Sequence, residues 1–280
     1  MTDVTDPQGT DDLHDLTAPG GTPVTVFDDA GQLGEALASE IIAGLAAAPA
    51  DRRFLLGCPS GRSLRSTYRA LARLLPPDAD LSRLVLVMMD EYVVGEPGAF
   101  RRIDPTLTHT CAWFAEHEMR QLLNTAVPAG AGIPPEHVWL PDPADPAAYD
   151  RRIAEAGGVD LFLVASGSGD GHVAFNPPPA DLGGGSWVLE LAEQTRRDNM
   201  GTFPEFGSLD EVPRFGVSVG LGTIAGLSRA VVLVLIGAGK REAARRVLGA
   251  SDFDPSWPAT FVHRCPGARI LLDRDAARGA

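Results

Sequence analysis

Short apolar runs recur along the chain, at residues 22–27, 54–56, 84–89, 160–165, 187–191, 217–219, 230–236 and 269–272. Most are apolar throughout instead of alternating, which predicts strands buried on both faces. Between several of them lie Ala- and Leu-rich stretches of helical character, near 30–48, 63–75, 108–124, 144–156 and 239–249. Buried strands alternating with helices predict an α/β fold: a doubly wound, mainly parallel sheet with helices on both faces, Rossmann-like, in a single domain. Residues 1–20 carry few large apolar side chains and read as a disordered acidic tail, which leaves 21–280 as the folded domain. The glycine-rich stretch 183–185 reads as a flexible loop within that domain.

A doubly wound sheet binds its ligands beyond the carboxyl ends of its strands. Polar or glycine-rich segments follow four of the runs: GCPSGRS after 54–56, DEY after 84–89, SGSGDGH after 160–165 and GAGK after 230–236. Small residues in the first segment let backbone N–H groups approach an anion, with Ser60 and Ser63 adding hydroxyl donors. It lacks the Gly-Lys-Ser/Thr ending of a nucleotide-binding loop. Asp90 ends a buried run, where partial desolvation raises a carboxylate toward proton-transfer duty, although such a group also serves as a cap. Asp170-Gly171-His172 sets an imidazole beside a carboxylate that can fix its tautomer. His109, His117, His137 and His263 lack such a setting and read as surface or structural residues.

Composition narrows the chemistry. A formal charge of −13 disfavours nucleic acid and anionic membranes as partners. No apolar run approaches the roughly 20 residues that span a bilayer, and the N-terminus lacks a signal-peptide pattern, so a cytoplasmic protein is expected. Cys58, Cys111 and Cys265 are widely spaced, which argues against a disulfide framework or a zinc site; no metal and no cofactor is called for. Among 24 basic residues Lys240 is the only lysine, which singles it out as a compact point charge for a phosphate.

Five segments, in order from about residue 54 to 273, carry a family resemblance. GCPSGRSLRSTYRAL resembles the phosphate loop and helix of the glucosamine-6-phosphate deaminase (isomerase) family, whose superfamily includes 6-phosphogluconolactonase. VMMDEYV is similar to its M-D-E-Y stretch, and DLFLVASGSGDGHVAFNPP to its D-L-x-x-x-G-x-G-x-D-G-H-I-A-F-N-E-P motif; VPRFGVSVGLGTI and IGAGKREA match two later segments. The resemblance implies a small sugar phosphate as substrate. It casts Asp90 as the base between C2 and C1, His172 as the group assisting ring opening, and Asp170 as its orienting carboxylate. Ser60, Gly61, Arg62, Ser63 and Lys240 would hold the phosphate. Two departures stand out. Pro177 replaces the glutamate after A-F-N, and Gly201 stands at or near a phosphate-binding arginine in TRRDNMGTF. Arg62, Arg196 or Arg197 could restore that charge. The implied reaction is deamination with isomerisation of an amino-sugar phosphate. The alternatives are a 6-phosphogluconolactonase-like hydrolase or a sugar-phosphate sensor without catalysis, and a homo-oligomer is left open.

Overall fold

The computed structural model describes residues 15–280. The chain runs β1 (Asp15–Thr17), β2 (Pro23–Phe27), α1 (Ala30–Ala47), β3 (Phe54–Cys58), α2 (Arg65–Leu74), β4 (Leu84–Met88), β5 (Asp90–Val94) and β6 (Arg101–Arg102). A helical stretch follows, from α3 (Cys111–Phe114) through a π-helical turn, Ala115–Arg120, to α4 (Gln121–Asn124). Then come β7 (Val138–Trp139), α5 (Pro146–Glu155), β8 (Leu161–Ala165), β9 (Trp187–Glu190), α6 (Glu193–Thr202), β10 (Phe215–Ser218), α7 (Leu221–Leu227), β11 (Val231–Leu235), α8 (Arg241–Leu248), β12 (Arg269–Asp273) and α9 (Arg274–Ala277).

The main sheet has the order β1-β2-β12-β11-β8-β3-β4-β7, and every pairing except β1 with β2 is parallel. Apolar residues line both of its faces. Leu55, Phe162 and Leu233 belong to one hydrophobic cluster, and Leu56, Leu163 and Val234 to the other. The uninterrupted apolar runs thus form a sheet covered on both sides, as expected. From β3 the chain winds outward to β4 and β7, whereas from β8 it winds the other way to β11 and β12. The switch point lies between β3 and β8, so the loops after these two strands flank one crevice.

A second, antiparallel sheet of order β6-β5-β10-β9 corrects part of the expected strand arrangement. The runs at 187–191 and 217–219 belong here and not in the parallel sheet. Only Met89 separates β4 from β5, and its carbonyl accepts from Val219 N–H at 2.8 Å. The chain therefore changes sheets at Met89, and Asp90 opens β5 opposite Ser218. Two further expectations are corrected. Residues 1–14 of the expected tail lie outside the described residues, but Asp15–Thr17 pair with β2 as an edge strand. The loop at 183–185 is pinned, because Gly184 O accepts from Gly222 N–H at 2.9 Å and a Cβ on Gly220 would overlap that carbonyl.

Candidate active site

A cavity of about 410 Å³ opens at the switch point. Ser60, Gly61, Arg62 and Ser63 from the loop after β3, Asp90 from β5, His172 from the loop after β8 and Lys240 from the start of α8 all line it. Asp170 stands behind His172. The structure thus brings the candidate catalytic and phosphate-holding residues around one space.

Asp90 is nearly buried, at 6% exposure. Burial pushes its pKa up to about 6, against the lowering influence of a hydrogen bond from Cys111 and the field of His172. Its neighbour Glu91 points elsewhere and accepts three backbone N–H bonds, from Tyr92, Cys111 and Ala112, at 2.8, 3.1 and 2.8 Å. Burial nevertheless raises Glu91 to about 7. One carboxylate faces the cavity, and the other anchors the start of α3.

His172 Nδ1 lies 2.7 Å from Asp170 Oδ1, and the same oxygen accepts His172 N–H at 3.1 Å. The carboxylate fixes the Nδ1–H tautomer and leaves Nε2 as the free nitrogen. Burial alone would raise the Asp170 pKa, but the bond and charge of His172 hold it below the usual range. Gly171 makes the turn possible: its φ is +71°, and a Cβ there would come within 2.6 Å of the Trp257 ring. Gly167 lets the loop close over the pair, since a Cβ there would fall 2.2 Å from His172 Nδ1.

Lys240 Nζ donates to Ser166 O at 2.6 Å and Ser168 Oγ at 3.1 Å. Burial lowers its pKa, opposed by Asp198 and reinforced by Arg62. The Gly237 amide is not available to a ligand, because both oxygens of Asp273 accept from it at 2.9 and 3.0 Å. Gly237 therefore offers no amide to an anion, and the GAGK segment brings the Lys240 ammonium to the cavity instead. Of the candidate replacements for the charge missing at Gly201, Arg196 donates to the carbonyls of Leu209 and Val212, and Arg197 pairs with Glu193. Arg62 alone of the three lines the cavity, and its Nη2 would lie 3.9 Å from a Cβ on Gly201.

The sequence reading missed several groups. His109, expected as surface or structural, lines the cavity, packs 4.5 Å from the Phe206 ring and has Glu205 at 3.9 Å. The other three histidines do look structural: His117 bonds Trp113 O, His263 bonds Thr22 and Val247 O, and His137 is buried. Asp198 and Asn199 reach the cavity from α6, whose polar sequence gave no helical stripe, and Asn199 Nδ2 is buried without a protein partner. Cys111 also lines the cavity. Asp90 and Asp198 are the carboxylates among the described lining residues, and Pro177 is not part of the wall. No group of His, Cys, Asp and Glu among the described residues has the arrangement of a metal site, and no described helix is long and apolar enough to cross a membrane.

Relatives among known proteins share both sequence and fold. A glucosamine-6-phosphate deaminase from Bifidobacterium longum is 34% identical over 241 residues, covering 80% of each chain. One from Mycolicibacterium smegmatis is 33% identical over 264 residues, covering 91% of each chain. Among solved structures, a monomeric glucosamine-6-phosphate deaminase superposes with a TM-score of 0.76 at 24% identity, over 91% of this chain and 98% of that one. A 6-phosphogluconolactonase from Leishmania guyanensis gives 0.64 at 18% identity, over 92% and 98%. These structural likenesses show the shared α/β fold. No family model matches the chain.

Proposed function

The chain belongs to the glucosamine-6-phosphate deaminase family, and from that premise we propose that it converts an amino-sugar 6-phosphate of the glucosamine 6-phosphate type to a ketose phosphate and ammonia. The observation that carries this reading is the company in one cavity: the elevated carboxylate of Asp90, the imidazole of His172, and the cations of Arg62 and Lys240. His172, oriented by Asp170, passes a proton between the ring oxygen and the C1 hydroxyl as the sugar opens. Asp90 takes the proton from C2 and returns it at C1, while O1 gains a proton and the C2 amine loses one, so that the C1 aldehyde becomes an alcohol and the C2 amine an imine. Water adds at C2 and ammonia leaves. The phosphate rests on Ser60, Gly61, Ser63, Arg62 and Lys240. A phosphate ester does not cross a bilayer unaided, so the reaction is placed in the cytoplasm.

One observation favours a second reading. With Pro177 in place of the family glutamate, the imidazole has one carboxylate partner, which is enough for a 6-phosphogluconolactonase-like hydrolase that activates water. Both readings are tested by assaying glucosamine 6-phosphate and 6-phosphogluconolactone for ammonia release, ketose formation and lactone opening. Ammonia and ketose in equal amounts, lost in Asp90→Asn, are expected. Lactone opening without ammonia moves the assignment to the hydrolase, and binding without turnover to a sensor.

A further inference from the structure

Cys111 has no role in the reaction as written, yet it lines the cavity and its sulfur touches two of its working parts. Sγ lies 3.1 Å from Asp90 Oδ1 and 3.2 Å from Ser60 Oγ. The thiol is in no disulfide and is buried at 4% exposure, and among the described residues its hydrogen-bond partners include no imidazole. Burial, together with the carboxylates of Asp90 and Glu91, pushes its pKa far above the usual thiol range, so it stays S–H. These facts fix the direction of the chain of hydrogen bonds. An ionised Asp90 can only accept, so the single thiol proton points to Oδ1, and the Ser60 hydroxyl donates to sulfur.

We propose that Cys111 is a positioning residue for the base: its thiol holds one oxygen of the Asp90 carboxylate and links that carboxylate to the phosphate loop through Ser60. The inference rests on the reading of Asp90 as the base. Among the described residues the Asp90 carboxylate has no other hydrogen-bond partner, so Oδ1 is occupied and Oδ2 is left to meet the substrate proton. The placement of the thiol is set by the residue next to the base. Glu91 Oε1 accepts Cys111 N–H and Oε2 accepts Ala112 N–H, while Thr110 caps the same turn by accepting Trp113 N–H at 3.0 Å. Asp90 and Glu91 thus grip the start of α3 through side chain and backbone at once. A thiol is a weak donor, which restrains the carboxylate without removing its basicity. When a phosphate draws the Ser60 hydroxyl to itself, sulfur loses its donor and its own hold on Oδ1 slackens. Substrate arrival at the phosphate loop is then felt at the base.

The titratable groups whose fields reach Asp90 are Glu91 and Tyr92 on its own strand, His172 from the loop after β8, Tyr149 from α5 and Cys111 from α3, with Arg62 and Lys240 across the cavity. Cys111→Ala changes only the thiol donor among them. The test is kcat/KM against pH, which follows the free enzyme where Ser60 still bonds the thiol, for wild type, Cys111→Ala, Cys111→Ser, Ser60→Ala and the double variant Ser60→Ala/Cys111→Ala, each checked by thermal melting. In Cys111→Ala the acid limb moves up by about half a pH unit, which is about a threefold loss of kcat/KM on that limb. Cys111→Ser, with a hydroxyl donor, returns it to the wild-type position or below. Ser60→Ala moves the limb up when Cys111 is present and not when it is absent. An unmoved limb in Cys111→Ala, or equal shifts from Ser60→Ala in both backgrounds, overturns the inference even if kcat falls. Should the protein turn over no amino-sugar phosphate, the proposed function fails separately. The Asp90 titration is then read by carbon-13 NMR, its resonance identified with Asp90→Asn, and an upward shift in Cys111→Ala still supports the thiol's role while equal titrations reject it.

Discussion

Arg62 reaches the space that a side chain on Gly201 would enter: a Cβ on Gly201 would have Arg62 Nη2 as its nearest neighbour, at 3.9 Å. We propose an exchange: the guanidinium of Arg62, from the loop after β3, stands in for the arginine that the resemblance implies at or near Gly201 in α6.

The exchange predicts where phosphate affinity resides. Arg62→Ala should raise KM for a sugar phosphate about 10- to 100-fold with kcat little changed, the loss of one charge-assisted contact. Arg62→Gly combined with Gly201→Arg should recover most of that loss, because the new guanidinium starts within reach of the old one. Steady-state kinetics of the three proteins check this. Unchanged KM in Arg62→Ala would remove Arg62 from the phosphate site.

Asp90 predicts both a rate profile and a stability profile. Its carboxyl is raised from 3.8 to about 6, so activity should fall as pH drops below about 6, where the base is protonated. Asp90→Asn should cost about 10²–10⁴-fold in kcat. For stability the sign is fixed by the same shift. A folded pKa above the unfolded one means that the carboxyl's contribution is fully present below about pH 4 and lost as pH rises through 6. At pH 8 the native state therefore carries an ionised, buried carboxylate, and Asp90→Asn should stabilise it by up to about 3 kcal/mol. Melting curves at pH 4 and pH 8 should show that gain only at the higher pH.

Some of this was legible in the chain because the signals were local. Uninterrupted apolar runs declared a covered parallel sheet, and Asp170 and His172 sit two residues apart, so their pairing needed no fold. The missing parts depend on distance along the chain. Cys111 meets Ser60 across 51 residues and Asp90 across 21, and His109 meets Glu205 only because Phe203 and Phe206 fold back after α6. The second sheet was hidden for another reason. β5 follows β4 after one residue, so the two read as one strand followed by a polar turn, and only the pairing of Asp90 with Ser218 separates them. The lone lysine was singled out by composition, but its partners Ser166 and Ser168 appear only in three dimensions.

Lys240 predicts a failure of conservative exchange. Its ammonium sits in a part-buried slot against Ser166 O and Ser168 Oγ, and a bulkier planar guanidinium, with its donors in a rigid fork, is a poor match for that compact point charge. Lys240→Arg should therefore lose affinity for a sugar phosphate about tenfold or more, close to the loss in Lys240→Met. Affinity is read by isothermal titration with a non-reacting sugar phosphate. Retention of wild-type affinity in Lys240→Arg would show that charge alone suffices.

His109 and Glu205 predict an asymmetry between partners. Burial lowers the His109 pKa more than the Glu205 carboxylate raises it, so the imidazole is neutral above pH 7. Removing the carboxylate lowers that pKa further and leaves the same neutral ring in place. Glu205→Gln should accordingly change kcat/KM at pH 7.5 by less than about twofold, the scale of an exposed charge contact. His109→Ala removes a ring that packs between Tyr92 and Phe206 and opens the cavity wall, so it should raise KM several-fold at every pH. Kinetics at pH 6 and 7.5 separate the two roles. If Glu205→Gln were as damaging as His109→Ala at pH 7.5, the pair would be acting as a charged unit, and the wall would be electrostatic and not apolar.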